Sequence, residues 1–392
     1  MAEISKNKPK ILIFSLAYAP FIGGAEIAVQ KITKRLSDYF EFDVITCNLN
    51  GKQKEEEWNE GVKIYRVGNS WIGKQFFHYL SYKKAIELHQ ENNYLAIWSI
   101  MANRAGLAAL KFKEKFSEVK YLLTLQEGDP LSHIYWRTWF WWWRYKKIYQ
   151  QADHIQVLSA WLEKRARKFG YQKEISIVPN GVDINKFKTQ NSDVKIMEEL
   201  DIPKDTKIIF TTSRLVKKNN VMSLIKATKM LLTDYKIPVN LLIAGEGELK
   251  KRLKFLTHQL AIKKEVNFLG YIYSEDLPKY YNLADVFVRP SLSEGFGISF
   301  VEAMSAGVPV VATPVGGILD FLIDGETGWF CEPKNPESIA EKINYILDKK
   351  NQAEVERVVA NAKKMVMEKY TWDVVATQMK EVFDNLIKNK YV

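Results

Sequence analysis

Two glutamates, Glu294 and Glu302, flank a glycine-spaced segment, Ser293-Glu-Gly-Phe-Gly-Ile-Ser-Phe-Val-Glu302-Ala-Met-Ser-Ala-Gly307. It follows an apolar, strand-like run, Ala284-Asp-Val-Phe-Val-Arg-Pro290, and its periodicity predicts a helix beginning near Gly297. Backbone N–H groups in such a loop and in the first helical turn lack intrahelical acceptors, so they suit a phosphate. Glu294 precedes the helix and Glu302 lies within it. At roughly 1.5 Å rise per residue the two stand on the order of 10 Å apart. Carboxylates accept hydrogen bonds, so each reads a hydroxyl well and repels a bare phosphate. A phosphate flanked by two hydroxyl-bearing rings is the layout of a nucleotide-sugar, with one carboxylate for the sugar and one for the ribose. The plainer reading is a turn and an amphipathic helix with solvated glutamates.

Other candidates lie at the ends of other apolar runs. Ile208–Thr212 leads into Ser213-Arg214-Leu-Val-Lys217-Lys218-Asn219-Asn220. Arg214 offers a planar fork suited to a pyrophosphate, and Lys218 adds a point charge, with Lys217 in reserve. Clamps of this kind on developing phosphate charge are a principal source of rate. Gly23 and Gly24, in Tyr18-Ala-Pro-Phe-Ile-Gly-Gly-Ala-Glu26, allow close backbone approach and positive φ. Thr124-Leu-Gln126-Glu127-Gly-Asp129-Pro130 ends a strand, where Glu127 and Asp129 either position an acceptor hydroxyl or serve a turn. There is no Asp-x-Asp motif and no His/Asp cluster with metal spacing. With Arg214 and Lys218 available, a metal-independent reaction without a cofactor is expected.

The elements that must position these residues alternate. Ile11–Ala17, Phe42–Cys47, Val62–Val67, Leu95–Ile100, Lys120–Leu125 and His154–Ser159 read as strands. Between them Glu26–Leu36, Tyr79–Gln90, Arg104–Phe116 and the aromatic Ile134–Gln150 read as helices, with Trp161–Phe169 following. After the strand-like Glu174–Val178, the turn Pro179-Asn-Gly-Val-Asp183 marks a hinge, and the alternation then starts afresh at Lys207–Thr212. The predicted fold class is α/β: two doubly wound parallel-sheet domains, 1–180 and 181–370, facing a cleft, with 371–392 as a terminal helix.

The Glu-bracketed segment closely resembles the Glu-x7-Glu signature of the retaining glycosyltransferases of family 4, which have the GT-B fold. The resemblance continues through Gly307-Val-Pro-Val-Val-Ala-Thr-Pro-Val-Gly-Gly317 and Asp324-Gly-Glu-Thr-Gly328 and covers nearly the whole chain. It implies that Glu294 contacts the donor sugar and Glu302 the ribose. Gly245, Gly295, Phe296, Gly297 and Ile298 would line the donor, and the Gly23-Gly24 loop would close over its phosphates. The last helix, near Thr371–Lys388, would cross back onto the first domain. The family pattern has Arg-Leu and, a few residues on, Lys-Gly; here the commonest Lys position falls on Asn219 and the Gly on Asn220. Many members carry a His near Gln126 that contacts the donor sugar. Gln cannot titrate near neutral pH, which argues against acid/base chemistry there. Retention in this family is described as front-face attack, the leaving phosphate accepting the acceptor proton. The implied donor is a UDP- or GDP-sugar and the acceptor a saccharide or lipid-linked saccharide. Rival readings are a nucleotide-sugar epimerase using Glu127 and Asp129, and a catalytically silent nucleotide-sugar-binding protein hinted at by Asn219 and Gln126.

At 392 residues the chain suits two or three domains. Cys47 and Cys331 are the only cysteines, so a disulfide framework is not expected and a reducing cytosol is. The start at Lys8–Tyr18 reads as a buried strand rather than a leader, since no small-residue cleavage site follows. The net charge of +11 is uneven: residues 133–170 carry eight Lys/Arg against two acids. Five of the eleven tryptophans crowd into Trp136-Arg-Thr-Trp139-Phe-Trp141-Trp142-Trp143-Arg144-Tyr-Lys146-Lys147. Trp favours the water–lipid boundary and Lys and Arg favour anionic headgroups. Trp139, Trp141, Trp142, Trp143, Arg144, Lys146 and Lys147, with Lys164, Arg165, Arg167 and Lys168, thus predict peripheral docking at the inner face of a membrane. An aromatic acceptor pocket or oligomer contact is the alternative; nucleic acid is not expected as a partner.

Overall fold

A computed structural model describes residues 8–21, 23–187 and 193–388. Ile22, within the Gly23-Gly24 loop, and residues 389–392 at the end of the terminal segment lie outside the described residues. The chain divides into two compact units, residues 1–181 with 372–392, and residues 182–371.

In the first unit β1 (Lys10–Phe14), β2 (Glu41–Cys47), β3 (Glu56–Asn59), β4 (Val62–Val67), β5 (Ala96–Ile100), β6 (Lys120–Leu125), β7 (His154–Val157) and β8 (Ile175–Ile177) form one sheet in the order β3-β4-β2-β1-β5-β6-β7-β8. All pairs are parallel except β3 with β4. β3 escapes the sequence reading because Glu-Glu-Trp-Asn alternates on an exposed edge and has no apolar run. The helices are α1 (Gly24–Leu36), α2 (Ser70–Asn92), α3 (Arg104–Lys115), α4 (Leu131–Thr138), α5 (Trp142–Gln150) and α6 (Ala160–Lys168). Ile11, Leu12, Ile13 and Phe14 are all fully buried, as a strand covered on both faces requires. The chain's last helix, Trp372–Lys388, packs on this sheet's core: Phe383 lies 5.5 Å from Phe40 and 5.3 Å from Trp98, ring centre to ring centre.

The aromatic helix predicted over 134–150 is broken. A 3-10 turn at Trp139–Trp141 separates α4 from α5. One continuous helix would splay its rings all round; the break turns Trp141 and Trp142 inward and leaves Trp139, Phe140 and Trp143 outside.

The second unit contains α7 (Asp193–Glu199), β9 (Lys207–Thr212), α8 (Val221–Thr233), β10 (Val239–Ala244), α9 (Lys250–Gln259), β11 (Val266–Gly270), α10 (Leu277–Leu283), β12 (Val286–Arg289) and α11 (Ile298–Ala306). After them come β13 (Val310–Ala312), β14 (Trp329–Phe330), α12 (Pro336–Leu347) and α13 (Gln352–Lys369). The polar α13 was not anticipated from sequence. The strands form a parallel sheet in the order β11-β10-β9-β12-β13-β14. The chain runs outward from β9 in one direction and, after returning to β12, in the other. The topological switch point therefore lies between β9 and β12, where Ile209 pairs with Val286 and Phe210 with Phe287. Ligands of doubly wound sheets bind outside the carboxyl ends of the strands at such a point.

Candidate functional site

Arg214 follows the carboxyl end of β9, while Arg289 closes β12 and Glu294 follows it, so the switch point of the second unit gathers these groups by topology alone. α11 begins at Ile298 with Gly297 as its N-cap, at φ +97°. A side chain there would be strained, and its Cβ would lie 2.6 Å from the Phe300 ring. Gly295, Phe296 and Gly297 are buried. The Phe296 ring faces the core, 5.5 Å from Phe321 and 5.8 Å from Tyr370, so only its backbone is left to meet a ligand.

A second loop fixes Glu294 from above. Gly316, at φ +61°, presses so close that an added Cβ would lie 1.9 Å from the Glu294 carbonyl oxygen, and the Gly317 N–H donates to that oxygen at 3.1 Å. These glycines belong to the family-like stretch, yet the spacing of Glu294 and Glu302 alone does not reveal their contact. The Glu294 carboxylate is held by Arg289, whose Nη2 donates to Oε2 at 2.5 Å, each side chain 13% exposed. Breaking so enclosed a pair by removing one partner costs roughly 3–5 kcal/mol. Arg289 also donates from Nη1 to Ser299 Oγ at 2.8 Å and from Nη2 to Asn219 Oδ1 at 3.4 Å. Arg289 was not singled out from sequence. Its signal was a cation ending the otherwise apolar Val286-Phe-Val-Arg289 at the carboxyl end of a parallel strand.

Glu302 lies in the second turn of α11. The Tyr281 hydroxyl donates to its Oε2 at 2.8 Å. Tyr281 is fully buried, its ring packed edge-on to Phe210 at 5.1 Å and Phe187 at 5.7 Å. Burial pushes the Glu302 carboxyl up to about 7; the Tyr281 hydrogen bond and the charges of Lys186 and Arg289 oppose the rise. Tyr281 and Lys186, which come from α10 and the 3-10 turn Ile184–Phe187, are further residues that sequence reading missed.

In the 213–220 loop, Arg214 and Lys217 are exposed and Lys218 is half-buried. The Lys218 carbonyl accepts the Leu292 N–H at 2.6 Å, which ties this loop to the one before Glu294. Asn219, 2% exposed, turns inward and donates from Nδ2 to the Arg214 carbonyl at 2.6 Å. Gly245, at φ +134°, lies where a Cβ would meet the Ser213 carbonyl oxygen at 2.0 Å. Only glycine lets β10's end approach that loop so closely. Glu294, Glu302, Arg214, Lys218, Gly245, Gly295, Phe296, Gly297 and Ile298 therefore all belong to the second unit.

Gly23, Gly24, Gln126, Glu127 and Asp129 belong to the first. The expected positive φ is absent at the glycine pair: Gly23 is extended at φ −122° as N-cap of α1, and its N–H donates to Glu26 Oε2 at 2.7 Å. The Glu26 side chain closes the turn, so no left-handed residue is needed. Gln126 accepts from Asn180 Nδ2 at 3.4 Å. Glu127 is enclosed, and burial pushes its carboxyl up against the opposing charge of Arg165. Asp129 faces Arg137 at 4.0 Å.

The basic belt needs correction. Arg165 is 4% exposed; it donates to the Glu127 and Asp129 carbonyls at 2.7 and 2.5 Å and stacks on Trp161, so it holds the 126–130 loop and meets no surface. Trp142 stacks on Tyr145 and meets Phe169 edge-on, and Trp141 packs on Tyr145. Both are half-buried, because the turn at 139–141 directs them to the core. The outward rings are Trp136, Trp139, Phe140 and Trp143, at 79, 75, 70 and 58% exposure. Arg144 pairs with Glu114 at 2.9 Å and lies over Trp143, as Lys147 does; Lys146 lies over Trp142. Among the described residues no three His, Cys, Asp or Glu side chains converge on a common point, and no helix is long and apolar enough to cross a membrane.

Residues 192–365 match the family Glycosyl transferases group 1, and residues 22–186 match Glycosyltransferase Family 4. The chain is 32% identical over 243 residues to an uncharacterized glycosyltransferase, MJ1607, of Methanocaldococcus jannaschii, a match covering 61% of each protein. A second uncharacterized glycosyltransferase of that organism, MJ1069, is 26% identical over 97% of this chain and 100% of its own. Among solved structures, Anabaena HepE in complex with UDP-glucose superposes with a TM-score of 0.79 at 20% identity, over 96% of this chain and 99% of that one. The two α/β units, the matches over both halves and these likenesses agree: the chain belongs to glycosyltransferase family 4, with the GT-B fold.

Proposed function

We propose that this glycosyltransferase moves a hexose-type sugar from a UDP- or GDP-sugar to a saccharide or lipid-linked acceptor, with retention of configuration and without a metal ion. The observation that carries the reading is the placement of two differently held carboxylates, Glu294 and Glu302, on either side of the α11 N-terminus at the β9/β12 switch point. The helix start and its loop suit the diphosphate. Glu294 takes the sugar hydroxyls and Glu302 the ribose hydroxyls, while Arg214 and Lys218 bring positive charge to the leaving nucleoside diphosphate. Since those cations supply the countercharge, a divalent ion is not required. The Anabaena structure, holding UDP-glucose in a chain of the same fold, supports a nucleotide-sugar as donor.

Glu127 and Asp129, on the loop after β6, are read as acceptor-side groups, with Gln126 and the Gly23-Gly24 loop toward the donor. The outward rings of Trp136, Trp139, Phe140 and Trp143, beside Arg137, Lys146 and Lys147, are read as a face that meets an anionic lipid surface at the cytoplasmic side of a membrane. Each basic residue there adds roughly 1 kcal/mol.

A metal-free thermal-shift and hydrolysis screen against UDP-glucose, UDP-GlcNAc, UDP-galactose, GDP-mannose and the free nucleotides tests the reading. Stabilisation by one donor with slow release of its nucleotide is expected. Indifference to all of them, repeated with anionic vesicles and oligosaccharide acceptors present, contradicts it.

A further inference from the structure

We propose that Arg289 is a further cation of the diphosphate site, beside Arg214 and Lys218, filling the place that a lysine at position 219 would take. The assignment rests on the nucleotide-sugar reading above. Asn219 spends its side chain inside the loop: Nδ2 on the Arg214 carbonyl, Oδ1 on Arg289 Nη2. It brings no charge. The guanidinium of Arg289 occupies the adjoining space, one strand over from Arg214 and across the switch point. A lysine at 219 and an arginine at 289 would crowd two cations into one enclosed site, and at low local dielectric such repulsion is costly. This chain has the arginine at 289 and an uncharged asparagine at 219.

The guanidinium keeps capacity for a ligand. Among the described residues three of its five N–H groups are engaged, by Ser299, Asn219 and Glu294; Nε is buried, and the second Nη1 hydrogen is left for a ligand. Among the described residues its paired anion is Glu294. An incoming diphosphate brings a second anion to the same planar fork, which serves two acceptors at once. Arg289 thereby joins the phosphate to the sugar-side carboxylate: the cation that receives the diphosphate is the one that orients Glu294.

The test is calorimetric titration of UDP, GDP, uridine and guanosine into wild type, Glu294→Gln, Arg289→Met/Glu294→Gln, and the same double variant carrying Asn219→Lys. Neutralising both partners leaves no unpaired buried charge, and circular dichroism confirms that each variant folds. Relative to Glu294→Gln, the double variant should bind the preferred nucleoside diphosphate roughly tenfold to a hundredfold more weakly, with nucleoside affinity unchanged. Asn219→Lys should restore at least tenfold of that loss. Arg289→Lys in the wild-type background keeps the charge but not the planar fork, and should weaken diphosphate binding by less than the double variant does. Diphosphate affinity in the double variant within twofold of Glu294→Gln overturns the assignment. Failure of wild type to bind either diphosphate overturns the nucleotide-sugar reading, and the role of Arg289 with it.

Discussion

The Tyr281 hydroxyl lies 2.8 Å from Glu302 Oε2, 21 positions along the chain, and 3.1 Å from the Ser299 carbonyl, so its one proton is held between two acceptors beneath a ring with no exposed surface. The bond to Glu302 steadies a carboxyl that burial has raised from 4.5 to about 7. Between those values the folded protein holds a proton that the unfolded chain has lost. The empty protein's stability therefore falls as pH rises through this window.

Nucleotide affinity should move the other way. With Glu302 as the proposed ribose partner, ribose hydroxyls donate to the ionised carboxylate, so binding should release a proton and tighten as pH rises through 7, by about tenfold between pH 6 and pH 8. Tyr281→Phe removes a bond that lowers the Glu302 pKa and should move the midpoint upward. Glu302→Gln should bind nucleotide weakly at every pH. Calorimetry across pH 5.5–8.5 checks all three, and a flat profile in wild type would remove Glu302 from the ribose.

Gly316→Ala should strike Glu294 without touching a ligand. A Cβ 1.9 Å from the Glu294 carbonyl oxygen cannot be accommodated, and φ +61° adds strain of roughly 1–2 kcal/mol. We expect a loss of at least about 2 kcal/mol in thermal or urea denaturation, and transfer activity reduced more than tenfold in the folded fraction. Wild-type turnover in Gly316→Ala would show that the Glu294 loop need not be held as it is.

The tryptophans separate into two classes. Trp142→Ala should destabilise the fold by roughly 3–5 kcal/mol, since it strips a ring from Tyr145 and Phe169. Trp139→Ser, Phe140→Ser and Trp143→Ser together should leave the melting temperature within a few degrees and release the protein from phosphatidylglycerol vesicles in a sedimentation assay. Equal vesicle binding by wild type and the triple variant, or none by either, would discard the docking face.

What was readable from sequence follows the range of the interactions. The parallel strands showed as apolar runs because both faces of each sheet are covered, and the site glutamates showed because loop, helix start and carboxylates are consecutive. β3 and α13 were missed because they lie where polar residues dominate and periodicity is weak. Arg165 looked like one more surface cation; its burial depends on carbonyls 36 and 38 positions away. Asn219 meets Arg289 across 70 residues, and Tyr281 meets Glu302 from another helix. Such pairs exist only once the strand order is set. Arg289 and Glu294 are five residues apart, close enough to guess, yet nothing in their spacing says that the guanidinium turns back over the loop.

The most direct test of the division of labour between Glu294 and Glu302 is a pair of titrations. Once the preferred donor is known, its affinity and that of the matching free nucleotide are measured in wild type, Glu294→Gln and Glu302→Gln. The account predicts that Glu294→Gln abolishes transfer and the extra affinity contributed by the sugar, with nucleotide affinity held within about threefold. Glu302→Gln should weaken nucleotide and donor alike, by roughly tenfold or more. Reversed effects, or donor turnover at the wild-type rate in Glu294→Gln, would contradict the placement of sugar and ribose on which the account stands.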